Sequence, residues 1–596
     1  MKTTKLIFSG IIAVFFFSCK DYLDPYPNGD LSRENISEYQ AMVQGLVGQC
    51  YDNMSRNYDN NEGAYFDCTS DNAVQTSTTG PIRQMAVGAL TTGQDPFLTY
   101  WDRDYKSINL VNMFLEDRMG YNTKFLIVPR LDSIVRNRLQ GEAFALRAYF
   151  QWDLLQKFGG KGVDGQMLGF PIITAPVDYT KEVNVARNTY DECVKQILAD
   201  CDSAYKYLPI AHRDFLVPNV NDRTYAGGRF WGRMDGITTR AIKAAVYLTW
   251  ASPRFNTAND ASRWDSAAVN AKKVIDFKLN VDGGVTKGFN PVNGVNWFDP
   301  NFPGIVWSSR FQDKNDAMER MYYPGGFQGN GTMGATQELV DAFPMKNGYP
   351  ITDQRSGYDP NNPYNDRDPR FYSVIFHNGA QAIRAGKKDV MYTFENYVGG
   401  KDEAGVSSKN SRTNYHIKKM VFMGLNWSDA SINRQPHSKF FMRWAHIVLT
   451  FSEAANQVVG PSDGGRYGLS AKDAMKYLRT RKSYDGAAGY DADPYLDEVS
   501  GNKTSFDMFV KNERRIETCF EGMRFFDLQR WTTSLDQMNK PVHGVLVTKS
   551  DDGNFNYNYN FEVEKRNLNS AYLPIPYQEI LRMSKLVQNE GWDEWK

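Results

Sequence analysis

Apolar residues recur at helical spacing through most of the first 250 positions of the chain. From Ile36, the positions Tyr39, Met42, Val43, Leu46, Cys50 and Met54 fall on one helical face. Phe97, Tyr100, Trp101, Tyr105, Ile108, Val111 and Leu115 form a second stripe. A third, from Gly141 to Phe158, aligns Leu146, Tyr149, Phe150 and Leu154 and stops at Gly159-Gly160, because glycine readily takes the conformations that end helices. Thr189-Tyr-Asp-Glu192 is a capping box, in which each side chain satisfies the other residue's backbone amide. It opens a helix expected to bury Val194, Ile197, Leu198, Cys201 and Tyr205. The fifth stripe, Ile237 to Ala251, meets Ser252-Pro253, and proline cannot continue a helix.

Between about Asn256 and Lys439 the pattern dissolves into Gly, Asn, Asp, Pro and aromatic residues. Loops this long are either functional or disordered, and Trp297, Phe298, Phe302, Trp307, Phe311, Tyr322, Tyr323 and Phe327 argue against disorder. Helical spacing returns at Phe441–Gln457, Ala471–Lys482 and Ser505–Phe520, and a polar stretch, Lys549–Tyr559, precedes a short final segment. The pattern therefore predicts a mainly α fold. A helical-repeat, TPR-like scaffold of paired helices covers about residues 30–255 and 440–596, and a large irregular insert, about 256–439, carries the ligand site.

The N-terminus reads as an export signal: two lysines within Met1–Lys5, an apolar run Leu6–Phe17, then Ser18 and Cys19. That run is shorter than the roughly 20 residues a membrane span needs. A cysteine directly after the small residue points to lipoprotein processing, with residues 1–18 removed and Cys19 acylated; a plain signal cut elsewhere is the alternative. Cys50, Cys68, Cys193, Cys201 and Cys519 then remain, an odd and sparse set that is not a disulfide framework. Cys193 and Cys201 would lie about 12 Å apart along one helix, too far to bridge. No CxxC, HExxH or HxH spacing occurs, so no zinc site is expected. A structural calcium fits where Asp and Asn cluster, although no EF-hand spacing is present.

Lys and Arg total 69 and so do Asp and Glu, which removes the basic excess of a nucleic-acid binder. Aromatic residues reach 14% of the 596 positions, more than a core requires and suited to a saccharide- or peptide-binding surface.

Several ordered segments then carry a family resemblance. Leu139-Gln-Gly-Glu-Ala-Phe-Ala-Leu-Arg-Ala-Tyr-Phe150 with Lys157-Phe-Gly-Gly160, the run Phe440–Ala455, Asp366-Arg-Asp-Pro-Arg370, the block Glu513–Trp531, Tyr572–Ile580 and Gln588-Asn-Glu-Gly-Trp592 together resemble SusD/RagB outer-membrane nutrient-binding lipoproteins. Cys19-Lys-Asp-Tyr-Leu-Asp24 is similar to the mature start of surface lipoproteins in that group. The chain departs at His446, where the family commonly has Glu, and at Val458-Val459-Gly460. The resemblance implies a lipid-anchored protein on the cell surface that binds oligosaccharides and sits as a lid on a SusC-like, TonB-dependent outer-membrane transporter.

Aromatic faces for sugar C–H groups, with Asn, Asp and Arg for hydroxyls, are the chemistry such a site needs. Trp297, flanked by Asn296 and Asp299 with no helical face to bury it, is the leading platform. Trp231, among Gly227, Gly228 and Gly232, is an exposed-loop candidate. Trp307 reads equally as platform or core strand, Tyr322 and Tyr323 as groove or turn, and Asp71 and Asn72 as polar contacts or caps. Trp101, Trp531 and Trp592 read as scaffold. Glu513, Glu517 and Glu521 are spaced by four, but Arg514, Arg515 and Arg524 can neutralise them, so a glycosidase pair is the weaker reading. Glu142 with Arg147, and Arg443 with Glu453, read as helix-packing pairs. A peptide-binding member of the same family and a secreted glycoside hydrolase are the alternatives; no catalytic residue is assigned.

The anchor has a direct test. Cys19→Ala is expected to release the protein into the soluble fraction, since each buried CH₂ of a lipid chain adds about 0.8 kcal/mol to membrane binding. Membrane fractionation of the variant checks this, and retention in the outer membrane would refute lipid anchoring through Cys19.

Overall fold

The structure, a computed structural model, describes residues 39–54, 64–178, 180–282, 295–299, 302–310, 314–383, 391–425, 434–437, 439–481, 489–490 and 492–595. The export signal and Cys19 lie outside the described residues. The longer helices are α1 (Gln40–Asn53), α2 (Leu98–Leu115), α3 (Pro129–Phe158), α4 (Tyr190–Tyr207), α5 (Gly236–Ala251), α6 (Ala261–Asp276), α7 (Trp444–Val459), α8 (Ala471–Arg479), α9 (Lys503–Thr518) and α10 (Arg524–Trp531). Consecutive helices from α1 to α6 pack on one another. α6 then packs on α7 although the loop-rich insert separates them in sequence, and α7 continues onto α8 and α9. The helical scaffold thus closes over the base of the insert.

Local chemistry explains the elements. The capping box is present: the Thr189 hydroxyl accepts from the Glu192 amide (3.3 Å) and the Glu192 carboxylate accepts from the Thr189 amide (2.9 Å). Proline at the first position of α3 suits a helix start, where its missing N–H has no partner to lose. Gly141 lets α3 approach the end of α4 closely, since a Cβ there would stand 2.6 Å from the Leu208 side chain. Alanines at 241, 244, 267, 268, 271, 445, 454 and 455 bring α5, α6 and α7 close enough to share a core with Leu248, Val274, Ile447, Phe451 and Val510.

The insert is held by short ladders. β1 (Ala73–Gln75) pairs antiparallel with β3 (Met333–Ala335), and β2 (Ile305–Ser308) with β4 (Phe440–Arg443) through two irregular steps. β5 (Val542–Lys549) and β6 (Phe555–Glu564) form the longest hairpin among the described residues.

Four expectations need correction. The scaffold runs through α6 to Asp276 rather than stopping near 255: Trp264, Ala267, Ala268, Ala271, Val274 and Ile275 are buried at helical spacing, but the small alanines among them make that stripe weak in the sequence. Phe440–Arg443 is a strand, and α7 begins only at Trp444. The polar stretch Lys549–Tyr559 is the turn and second strand of a hairpin, whose period-two pattern puts Phe555, Tyr557, Tyr559 and Phe561 on one face. Tyr205 is 38% exposed, with the Arg240 guanidinium 4.1 Å from its ring centroid.

One hub connects the scaffold and insert. Glu513 accepts from Arg479 (2.7 Å) and Arg370 (2.9 Å). Glu517 accepts from Arg481 (2.7 Å), Arg370 (3.0 Å) and Arg443 (3.4 Å). Glu521 accepts from Arg443 (2.6 Å) and Lys419 (2.7 Å) and lies 3.0 Å from His446 Nε2. The neutralising cations are therefore remote ones. The local arginines turn elsewhere: Arg514 to Glu453, Arg515 and Arg524 to Asp71. Glu142 pairs with Arg138 within α3 and with Arg233 across to the turn before α5, and Arg147 pairs with Asp200 of α4, so the expected Glu142–Arg147 pair is not formed.

Glu453 offers a test of this wiring. Burial alone would raise its pKa, but Arg530, Arg514 and the Trp531 N–H bring it down to about 2. A carboxyl depressed in the folded state contributes stability above its unfolded pKa, near 4.5, and loses it as pH falls toward 2. Glu453→Gln is expected to cost about 3 kcal/mol at pH 7, and the gap to wild type is expected to close as pH falls from 4.5 to 2. Denaturant unfolding across that range checks it; a pH-independent gap would contradict the assignment.

Candidate ligand-binding site

Trp297 lines a cavity of about 290 Å³ between the insert and the hub. Its turn is fixed by the Asn296 side-chain oxygen, which accepts from the Phe298 amide (3.1 Å). The indole stacks on Phe440 of β4 with centroids 5.4 Å apart and planes 19° apart. Lys419 and Arg443 stand 5.3 and 5.6 Å from the ring centroid, within cation–π range. Phe298 makes edge contacts with Phe422 (5.6 Å) and His437 (5.4 Å).

The opposite wall is polar. Arg370, Arg443, Arg481, Lys418, Lys419 and Ser373 line it with Glu517. Their positive charges are fixed in place: Arg370, Arg443 and Arg481 by Glu517, and Lys419 by Glu521 and the carbonyls of Glu517 (2.9 Å) and Cys519 (2.7 Å). Burial would raise Glu517, but the Arg481, Arg370 and Arg443 guanidiniums hold it well below the usual carboxylate range. Burial holds His446 below its ordinary value, against the pull of Glu521. An aromatic wall facing rigid N–H donors can stack on an apolar face while bonding to its substituents, and Trp297 remains half-buried, so part of the indole is open to the cavity.

The other residues singled out in the sequence are not gathered here. Trp231 is half-buried in the turn leading to α5, and its neighbours Gly232 and Arg233 line a different cavity. Trp307 is core strand: it is 2% exposed, meets Tyr149 edge-on at 4.9 Å and donates its indole N–H to the Gly232 carbonyl (3.2 Å). Tyr322 and Tyr323 are corrected from groove to core, being 1% and 0% exposed, with the Tyr323 hydroxyl donating to the Phe422 carbonyl (2.8 Å). Asp71 and Asn72 are structural, holding the arginines that turn away from the hub. Asp71 is paired with Arg524 and Arg515, while Asn72 accepts from Arg515 (2.9 Å) and donates to Asp67 (2.8 Å). Burial would raise the Asp71 carboxyl, yet the two arginines hold it below its ordinary value. The residues facing Trp297 come from positions 370, 419, 443 and 481, too scattered for sequence to group them, although Arg370 ends the Asp-Arg-Asp-Pro-Arg motif.

Among the described residues, no group of three or more His, Cys, Asp or Glu side chains is placed to hold a metal ion. No helix among them is long and apolar enough to cross a membrane.

The chain matches two family models that together span most of it. One, described as the SusD family, covers residues 303–592; the other, described as "Starch-binding associating with outer membrane", covers residues 21–221. A SusD-like protein P38 of Formosa agariphila is 20% identical over 532 residues, covering 89% of this chain and 91% of its own. Among solved structures, a SusD-like protein of Bacteroides fragilis superposes with TM-score 0.69 at 21% identity, covering 93% of this chain and 98% of its own. A SusD-like carbohydrate-binding protein of the same species gives TM-score 0.66 at 18% identity, covering 92% and 99%. At these identities the structural matches speak for the fold.

Two tryptophan variants separate site from scaffold. Trp297→Ala is expected to weaken oligosaccharide binding by roughly tenfold with a small loss of stability, as befits a half-exposed stacking face. Trp307→Ala is expected to lose about 3–5 kcal/mol of stability, since it opens a cavity in packed core. Calorimetric titration and thermal unfolding of both variants check this; unchanged affinity in Trp297→Ala would remove Trp297 from the site.

Proposed function

Because the chain belongs to the SusD family, a carbohydrate-binding group associated with the outer membrane, we propose that it is a lipid-anchored cell-surface protein that captures oligosaccharides and hands them to a SusC-like, TonB-dependent transporter. The observation that carries the reading is the Trp297 cavity, where an aromatic face meets guanidinium donors already locked in position. Locked donors favour binding, because little side-chain entropy remains to be lost when a ligand arrives. The cavity volume stands at the lower end of ligand pockets, suited to a short stretch of glycan.

The same network supports binding over hydrolysis. Glu513, Glu517 and Glu521 are each committed to cations, and a general acid needs a carboxyl held protonated near neutral pH, whereas their cations hold Glu517 and Glu521 well below the usual carboxylate range. Aromatic patches beyond the cavity, such as Tyr557 and Tyr559 with rings 6.2 Å apart and 3° from parallel, add flat surface along β6.

Delivery implies a partner with a large complementary surface. Affinity purification of the protein from native membranes is expected to recover a TonB-dependent transporter, and titration with neutral oligosaccharides and with peptides is expected to show binding of the saccharides alone. Recovery without any such transporter would contradict the delivery role, and binding of peptides alone would replace the cargo.

A further inference from the structure

Phe441 of β4, next to the Phe440 that stacks on Trp297, borders a second cavity, about 460 Å³, whose walls include Tyr51, Asp52, Gly232, Arg233 and Arg310. It lies between α1, the turn entering α5, and the end of β2. Its charge is unbalanced. Glu142, buried behind it, is matched by Arg138 (2.6 Å) and by one nitrogen of Arg233 (2.7 Å). The remaining guanidinium nitrogens of Arg233 have no hydrogen-bond partner among the described residues, and the exposed Arg310 side chain has no ion pair or hydrogen bond there. Arg229, also exposed, gives its one hydrogen bond among those residues to the Thr224 carbonyl (3.0 Å), so its charge too is unmatched. Asp52, the acid on the cavity wall, is itself engaged, and its charge acts with that of Glu142 on Arg233, which leaves Arg310 and Arg229 as the surplus cations.

Partial burial, together with the charges of Arg233 and Arg229, holds Arg310 below its ordinary value against the weaker opposing pull of Glu142 and Tyr51. The cavity is also shaped for a ligand. The Arg233 guanidinium lies 4.8 Å from the Tyr51 ring centroid, which fixes its plane. Gly232, at φ +78°, leaves the room that the Arg310 stem occupies, since a Cβ there would stand 2.5 Å from the Arg310 Cγ. At Gly48 no atom comes within 4 Å of where a Cβ would be, so the wall is open at that point.

We propose that this cavity is a second binding site, which takes a compact oxyanion carried on a saccharide, either a uronate carboxylate or a sulfate ester, between Arg233 and Arg310. Both groups present paired oxygens that match a guanidinium fork, and a half-desolvated pocket strengthens that pairing over a surface contact. The Tyr51 and Phe441 rings would flank the sugar ring bearing the anion. The inference rests on the reading of the protein as a saccharide binder, and it makes the preferred cargo an acidic glycan.

Calorimetric titration of the full chain with three probes tests it: an oligogalacturonate, a sulfated galactan oligosaccharide and a neutral malto-oligosaccharide. The expected result is binding of at least one acidic probe, weakened tenfold or more in Arg310→Gln and by raised salt, with the melting temperature unchanged because Arg310 is exposed. Which acidic probe binds identifies the carboxylate or the sulfate as the group recognised. Binding of neither acidic probe, or equal binding by wild type and Arg310→Gln, overturns the proposal. If the neutral probe still binds in those cases, the saccharide-binding reading survives without this site; if no saccharide binds, both fall.

Discussion

Three carboxylates buried in one row, Glu513, Glu517 and Glu521, hold the molecule together. Taking charges out of water costs several kcal/mol each and is offset only where every group finds a partner. Here the partners arrive from four separate parts of the chain: Arg370 of the insert, Lys419 near its end, Arg443 at the strand–helix junction, and Arg479 at the end of α8 with Arg481 just beyond it. The irregular insert buries fewer long apolar faces than the helices do, so its docking onto the scaffold depends on these pairs being made together.

The same constraint positions the candidate site. The guanidiniums that anchor the insert also form the polar wall opposite Trp297, so the cavity inherits the rigidity of the hub. β4 divides the interior: Phe440 backs the Trp297 cavity, and the next residue, Phe441, packs on Trp307 at 4.4 Å and reaches the arginine-rich cavity. Neighbouring residues of one irregular strand thereby border two chemically distinct surfaces, one aromatic with fixed donors and one with surplus cations.

Much of the scaffold was legible in the chain because helices announce themselves through periodicity. The stripes at 97–115 and 237–251 and the capping box at Thr189 correspond to α2, α5 and α4 within a residue or two. α6 was hidden because three of its seven buried residues are alanine and one is Asn, a weak apolar signal, and the β5–β6 hairpin because the alternate residues of β6 are Asn, which reads as loop. The site was less legible for a physical reason: burial of an aromatic in an irregular segment depends on which distant strand covers it. Trp307 reads equally as platform or core strand in the sequence, and only the structure shows it packed between Tyr149 and Phe441 while Trp297 lines a cavity. The cations of the polar wall carried no local signal, and the carboxylates that fix them looked self-neutralised by neighbouring arginines that in fact reach Asp71 and Glu453.

Hydrogen exchange on Glu517→Gln tests the central claim most directly. If the carboxylate row ties insert to scaffold, backbone amides should exchange faster in three places at once: α9, the Pro369–Val374 helix that carries Arg370, and the start of α7 beside Arg443, while α4 keeps its protection. Faster exchange confined to α9, with the Pro369–Val374 helix and α7 unchanged, would contradict it.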